Sequence, residues 1–147
     1  MTLDDDRLEV LDTSTCRTLL ATVHLGRVAL SRQALPIIVP VVYKLVGQQI
    51  LIPAASLLVR SAAQSGDVVC FEADAQDPVG STWSVLVVGS LSMVSPTRRP
   101  PPDDGQTDDS ATGDLVGLTT SRISGRRTTM PLDEFPASVA DPGTSWT

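Results

Sequence analysis

Residues 27–52 have the sequence RVALSRQALPIIVPVVYKLVGQQILI, and this stretch decides the fold class. Three short runs within it are rich in Val, Ile and Leu and are predicted strands: 27–31, 37–43 and 49–52. Residues 32–35 predict a turn, and Val46-Gly47-Gln48 predicts a tight hairpin. Pro40 has no N–H to donate, so its strand is predicted to lie at a sheet edge or to contain a bulge. Closely spaced hairpins indicate an antiparallel sheet rather than a parallel βαβ fold.

Two short helices are predicted around this stretch. The first rests on an apolar stripe at helical spacing, formed by Cys16, Leu19, Leu20 and Val23. Asp12, Thr13 and Ser14 are its candidate N-caps, and Gly26 is its predicted left-handed end. The second helix is predicted between Ala54 and Ser65 and ends at Gly66. Three further strands are predicted at 68–72, 83–88 and 115–123, so the fold is expected to be mostly β with short helices.

Composition divides the 147 residues into a lead-in, one domain and a tail. Residues 1–10 are an acidic lead-in, and residues 11–127 are the predicted domain. Within the domain, the Pro- and Asp-rich insert 96–113 has almost no apolar side chains to bury and is predicted to be disordered. The tail 128–147 contains three prolines and is predicted to be irregular.

Charge and composition exclude several function classes. The formal net charge is −6 and no basic stripe is present, which argues against nucleic acid or an anionic membrane as the main partner. Two cysteines and one histidine are too few for the common zinc patterns, so no metal site is predicted. The acidic N-terminus lacks the features of a signal peptide, and no uncharged stretch is typical of a membrane span. The protein is therefore expected to be cytoplasmic.

Five short segments follow one another along the chain: LLATVHLGRVAL at 19–30, VPVVY at 39–43, FEAD at 71–74, WSVLVVG at 83–89 and ISGRR at 123–127. In this order they resemble the flavin-binding split-barrel family of pyridoxamine 5'-phosphate oxidase relatives. The resemblance implies a six-stranded antiparallel split barrel that forms a homodimer. It also implies an FMN cofactor at the dimer interface, or a deazaflavin as in some relatives.

The resemblance further implies a cofactor site made by six residues: Val39, Val41, Pro53, Ala54, Arg60 and Trp83. Val39, Val41 and Pro53 would line the flavin ring. Arg60 would bind the phosphate, with Ser56 and the amides of the second helix. Trp83 would close the site, either from the same barrel or from the partner chain.

The stretch expected to bind the phosphate departs from the family pattern. Pro53 and Ala54 stand where relatives carry an Arg/Thr pair, and Leu57 and Leu58 replace a glycine and a hydroxyl residue. Arg60 is then the one cation left for a phosphate dianion, which needs several charge-assisted donors.

Two functions follow from these observations. The first is a flavin- or deazaflavin-dependent oxidoreductase that is not a vitamin B6 oxidase, because Arg126-Arg127 lacks the accompanying histidine. The alternative is a non-catalytic dimeric barrel that has lost flavin binding and binds another ligand or a protein. No catalytic residue is predicted. Arg27 is predicted to pair with a carboxylate of its own fold, Glu72 or Asp74.

Overall fold

A computed structural model of the protein describes residues 8–94 and 113–129. The elements in these ranges are β1 (Leu8–Leu11), α1 (Thr13–Leu20), β2 (Leu25–Arg32), β3 (Leu35–Val42), β4 (Lys44–Val46), β5 (Gln49–Pro53), α2 (Leu57–Ser65), β6 (Val68–Gln76), β7 (Thr82–Met93), β8 (Leu115–Thr119) and β9 (Ile123–Thr128). The prediction of a mostly β fold with two short helices is confirmed.

The strands form one curled antiparallel sheet, a half-barrel, in the order β3-β2-β6-β7-β8-β5-β4. The 12-residue strand β7 joins its two halves. Residues 82–90 of β7 pair with β6, and Leu91 to Met93 pair with β8. Strand β9 lies beside β7 and also pairs with β1. The curl buries one face of the sheet around a mainly aliphatic core.

The strand count differs from the expected six, because the part of the chain that the structure describes has nine strands. The predicted strand 115–123 is two strands, β8 and β9, separated by a turn. Thr120 is fully buried in this turn, and its backbone N–H and hydroxyl both donate to the carbonyl of Gln48, at 2.9 Å each. Strand β4 is a separate short strand. Strand β1 begins at Leu8, inside the segment interpreted as the acidic lead-in, because it pairs with β9.

Helix α1 begins as predicted but ends earlier. Asp12 is the N-cap, and its carboxylate accepts a 2.7 Å hydrogen bond from the N–H of Thr15. The helix ends at Leu20, so the predicted helix end at Gly26 is wrong. Gly26 instead lies in β2, where the ring of Phe71 packs over its backbone.

Helix α2 follows β5 after a short turn. Ser56 is its N-cap, and its hydroxyl accepts from the N–H of Val59 at 3.4 Å. Gly66, with φ of 67°, ends the helix in the left-handed conformation, which confirms the prediction.

Strand β3 lies at one end of the sheet order, which confirms the edge position predicted from Pro40. Along β3 the side chains alternate between two faces. Val39 and Val41 face the core, and Ile38, Pro40 and Val42 face outward and are exposed.

Tyr43 connects β3 to β4 and is buried. Its ring meets that of Phe71 edge to face, with 4.8 Å between ring centroids. Its hydroxyl donates a 2.7 Å hydrogen bond to the carbonyl of Leu20 at the end of α1. Tyr43 therefore holds α1 against the sheet.

Burial raises the pKa of Tyr43 to about 12, from 10.0. The unfolded chain loses this proton near pH 10, whereas the folded chain keeps it. We expect the free energy of unfolding to fall by roughly 2–3 kcal/mol between pH 10 and 12, with no contribution from this group below pH 10. Because Tyr43 is the single tyrosine, tyrosinate absorbance reports on it alone. Titration of the folded protein near pH 10 would contradict the expectation, and Tyr43→Phe should remove this alkaline loss.

Apart from Gly113, the predicted insert 96–113 lies outside the described residues, and so does the tail beyond residue 129. Within the described ranges, neither helix is long and apolar enough to cross a membrane.

Candidate functional site

An apolar cleft of about 320 Å³ opens where the end of β3 meets β4, β5 and β8. It is lined by Val42, Tyr43, Lys44, Val46, Leu51, Pro53 and Leu115. Strand pairing brings these residues together: Lys44 lies opposite Leu51, and Pro53 lies opposite Leu115. Lys44 is the one lining residue with a charge. The volume and the apolar walls are typical of a small-molecule site.

The turn between β5 and α2 places Arg60 beside the start of β8. The guanidinium donates from Nη1 to the Asp114 carboxylate at 2.6 Å and from Nη2 to the carbonyl of Ala54 at 3.1 Å. The N–H of Ala54 in turn donates to the carbonyl of Asp114 at 2.8 Å. Ala54 follows Pro53 and Asp114 precedes Leu115, so the Arg60–Asp114 pair is next along the chain to two lining residues, although Ala54, Arg60 and Asp114 do not themselves line the cleft.

An exposed apolar surface adjoins the cleft on the outer face of β2 and β3. We call it the edge patch and define it as Leu25, Ile38, Pro40 and Val42. Leu25, Ile38 and Val42 are 57%, 67% and 59% exposed. Leu25 lies directly opposite Val42, so the patch is continuous across both strands. Because Val42 also lines the cleft, the patch and the cleft meet at this residue.

Of the six residues predicted to bind a cofactor, one lines the cleft, Pro53. Ala54 and Arg60 follow it in the chain and are joined by the hydrogen bond from Arg60 to the Ala54 carbonyl. Val39 is half-buried and Val41 is 9% exposed, and both pack with the core. Trp83 is buried near the start of β7, opposite Ala75 and Arg127, at the other end of that strand from β8. The cofactor contacts of all six remain a prediction.

Of the residues that line the cleft, the sequence singled out only Pro53, and it did not single out Asp114. The lining residues that the structure adds are Val42, Tyr43, Lys44, Val46, Leu51 and Leu115. Alternation along β3 was the available signal for Val42, because residues two apart share a face. Asp114 and Leu115 reach the site through the pairing of β5 with β8. Nothing in their local sequence indicates that pairing.

The predicted pairing of Arg27 is confirmed. Its guanidinium contacts Glu72 at 2.7 Å and Asp74 at 3.3 Å. Burial raises the pKa of Glu72, and its hydrogen bond with Asp74 raises it further, against the opposing effect of Arg27. Arg27 lies opposite Pro40, so this charged cluster lies beside the edge patch.

A wider groove of about 450 Å³ lies on the outer face of β1, β7 and β9. It is lined by Val10, Ser84, Leu86, Ser124, Gly125 and Arg126. It is larger than the cleft, but its walls mix hydroxyl, charged and apolar groups. We assign the candidate site to the cleft because the cleft walls are almost wholly apolar and Pro53, the first residue of the segment expected to bind the phosphate, lines it. Among residues 8–94 and 113–129, no group of His, Cys, Asp or Glu side chains is placed to hold a metal ion.

Comparison with known proteins gives a family and a set of relatives. A family model described as pyridoxamine 5'-phosphate oxidase matches residues 12–127. The uncharacterized protein Rv0080 of Mycobacterium tuberculosis is 43% identical over 91 residues. That match covers 58% of this chain and 60% of the relative, which is less than two thirds of the relative's length.

Solved structures of flavin-binding proteins have a similar fold. An FAD-binding protein from Mycobacterium smegmatis is 26% identical, with a TM-score of 0.62 over 82% of this chain and 97% of that chain. An FAD-binding protein from Mesorhizobium loti is 16% identical, with a TM-score of 0.66 over 82% and 98% of the two chains. The second likeness shows the fold alone.

Proposed function

This chain belongs to the pyridoxamine 5'-phosphate oxidase family, and on that premise we propose that it binds a flavin in the apolar cleft. The observation that carries the proposal is an apolar cleft lined by Pro53, with the guanidinium of Arg60 bonded to the carbonyl of the next residue, Ala54. A flavin combines a flat, largely apolar ring with an anionic tail, so it needs these two environments side by side. The 26% identical FAD-binding protein from Mycobacterium smegmatis supports the choice of a flavin.

In this proposal the ring contacts Val42, Pro53 and Leu115, and Arg60 lies on the side of the phosphate. Val42 and Pro53 are exposed in the single chain, and ring binding would remove their apolar surface from water. The buried ring of Tyr43, fixed by its hydrogen bond to Leu20, gives the cleft a rigid wall. FMN, FAD and a deazaflavin share this ring and differ in the tail or in one ring atom.

We also propose that two copies of the chain associate through the edge patch. Three large apolar side chains exposed on the outer face of the edge strand β3 and its neighbour β2 are typical of a surface covered by a partner. Since Val42 belongs to both the patch and the cleft, a second copy seated on the patch would close the cleft. Such closure would exclude water from the ring.

A bound flavin would supply the electron or hydride transfer of an oxidoreductase. The chain itself would bind the ring, fix its orientation and keep water away from it. Among the described residues, Tyr43 and Lys44 are the titratable side chains that line the cleft.

Fluorescence titration of the full chain with riboflavin, FMN and FAD tests the proposal. We expect binding of riboflavin, which has the ring without the phosphate. Arg60→Ala should weaken FMN binding about tenfold and leave riboflavin binding unchanged, because the substitution removes a charged donor and leaves the Asp114 carboxylate in place. Arg32→Ala, which removes an exposed arginine at the end of β2, is the matched control and should change neither affinity. If Arg60→Ala changed the FMN and riboflavin affinities equally, Arg60 would not contact the phosphate.

A second function is favoured by one observation. Arg60 already donates to Asp114 and to the Ala54 carbonyl, so its charge is partly compensated within the chain. This arrangement suits a dimeric barrel that binds another ligand, or a protein, without a flavin. A dimer that binds none of the three flavins in the titration would support this second function.

A further inference from the structure

We propose that Asp114 is a specificity-determining residue: by holding Arg60, it makes the cleft bind the flavin ring with little preference for the 5'-phosphate. This inference rests on the proposed function, because it concerns the tail of the flavin that the cleft would bind. The family match does not assign this selectivity, in which riboflavin and FMN bind with almost equal affinity.

Backbone hydrogen bonds fix the chain at Asp114 and at the next residue. The backbone carbonyl of Asp114 accepts from the N–H of Ala54 at 2.8 Å, which continues the pairing of β5 with β8. The carbonyl of the next residue, Leu115, accepts from the N–H of Val94 at 2.9 Å. The start of β8 is therefore fixed, and the carboxylate reaches Arg60 at 2.6 Å from a defined position.

The pair changes the field that an incoming phosphate meets. Arg60 and Asp114 carry opposite charges 2.6 Å apart, so their net charge at the distance of an approaching anion is close to zero. A phosphate that contacts the guanidinium also comes near the carboxylate, which repels it. A second guanidinium nitrogen is engaged by the Ala54 carbonyl at 3.1 Å. Arg60 therefore offers an anion fewer donors and less charge than an unpaired arginine.

The Arg60–Asp114 pair contributes little to the folding stability of the free protein. Its two side chains are 34% and 54% exposed, and exposed ion pairs are weak. Removal of the carboxylate should therefore leave the fold intact. Its effect should appear in the binding of an anion, where charge-assisted hydrogen bonds to the freed guanidinium are gained.

The experiment compares riboflavin and FMN on the full chain and on Asp114→Asn. We expect the wild-type affinities for the two flavins to agree within about threefold. In Asp114→Asn, FMN should bind about tenfold more tightly while riboflavin binding is unchanged. The amide keeps the size of the side chain and removes only its charge. An unchanged melting temperature shows that the variant is folded.

Asp67→Asn is the matched control. Asp67 is exposed and follows α2 at the end away from Ser56, so the substitution removes the same global charge without touching the Arg60 pair. It should leave the FMN-to-riboflavin ratio unchanged. The double variant Arg60→Ala/Asp114→Asn should also fail to gain FMN affinity, because the freed guanidinium is then missing.

The outcomes separate this inference from the proposed function. Riboflavin binding with an FMN-to-riboflavin ratio that Asp114→Asn does not change overturns the inference and leaves the flavin proposal standing. A tenfold gain in Asp67→Asn, or an equal gain for riboflavin in Asp114→Asn, also overturns it. Absence of binding by every flavin to every variant overturns the proposed function, and the inference fails with it.

Discussion

Replacement of Val42 by aspartate is expected to weaken the binding of riboflavin and FMN by at least about a hundredfold. Val42 lines the cleft and is 59% exposed in the single chain. A carboxylate at this position would face the flavin ring in a water-poor site, and the apolar contact of the valine would be lost. The same change places a charge in the edge patch, so the proposed dimer should dissociate.

The fold should tolerate Val42→Asp, because the side chain points out from an edge strand. We expect the melting temperature of the subunit to be little changed. Val79→Asp is the matched control, since Val79 is 87% exposed in the turn between β6 and β7, away from the cleft. Flavin titration and sedimentation velocity measure the two effects. Full flavin affinity in Val42→Asp would exclude the cleft as the ring site, and an unchanged oligomeric state would exclude the patch as the dimer contact.

Replacement of Gly26 by alanine is expected to lower the free energy of unfolding by about 3 kcal/mol. A Cβ at this position would lie 2.4 Å and 2.6 Å from ring carbons of Phe71 and 2.9 Å from the carbonyl oxygen of Glu72. The Phe71 ring is fully buried and packs edge to face against Tyr43, so it has little room to move. The carbonyl belongs to β6, which pairs with β2, and it cannot move without disturbing that pairing.

Thermal and urea unfolding measure this effect, and the melting temperature should fall by roughly 10 °C. Gly113→Ala is the matched control, because no atom lies within 4 Å of its added Cβ. In the double variant Gly26→Ala/Phe71→Leu, the smaller leucine side chain leaves room for the added methyl group. The loss in free energy of unfolding should therefore be less than the sum of the losses in the two single variants. A Gly26→Ala variant as stable as the wild type would show that Phe71 does not pack over this glycine.

The sequence predicted those parts of the fold that depend on local chemistry. The hairpin at 46–48, the helix end at Gly66 and the edge position of Pro40 each follow from the backbone preferences of one or two residues. Gly26 shows where this reasoning fails. A glycine after an apolar helix stripe is a good local signal for a helix end, but close contact with Phe71 in the folded protein is what requires it.

The other features of the fold could not be predicted, because they depend on pairing between residues far apart in the chain. The turn that separates β8 from β9 depends on Thr120 reaching the Gln48 carbonyl, a contact 72 residues apart in the chain. The same limit applies to the candidate site. The Pro53–Arg60 segment could be located from its sequence, but Asp114, 54 residues beyond Arg60, could be placed beside it only once β8 was paired with β5.

The most direct test of flavin binding in the cleft is a methyl NMR titration of the full chain with riboflavin. We predict that saturating riboflavin shifts the methyl signals of Val42, Leu51 and Leu115 and leaves that of Val79 unchanged. Shifts confined to Val10 and Leu86 in the wider groove, or no shifts at saturation, would contradict the assignment of the cleft as the flavin site.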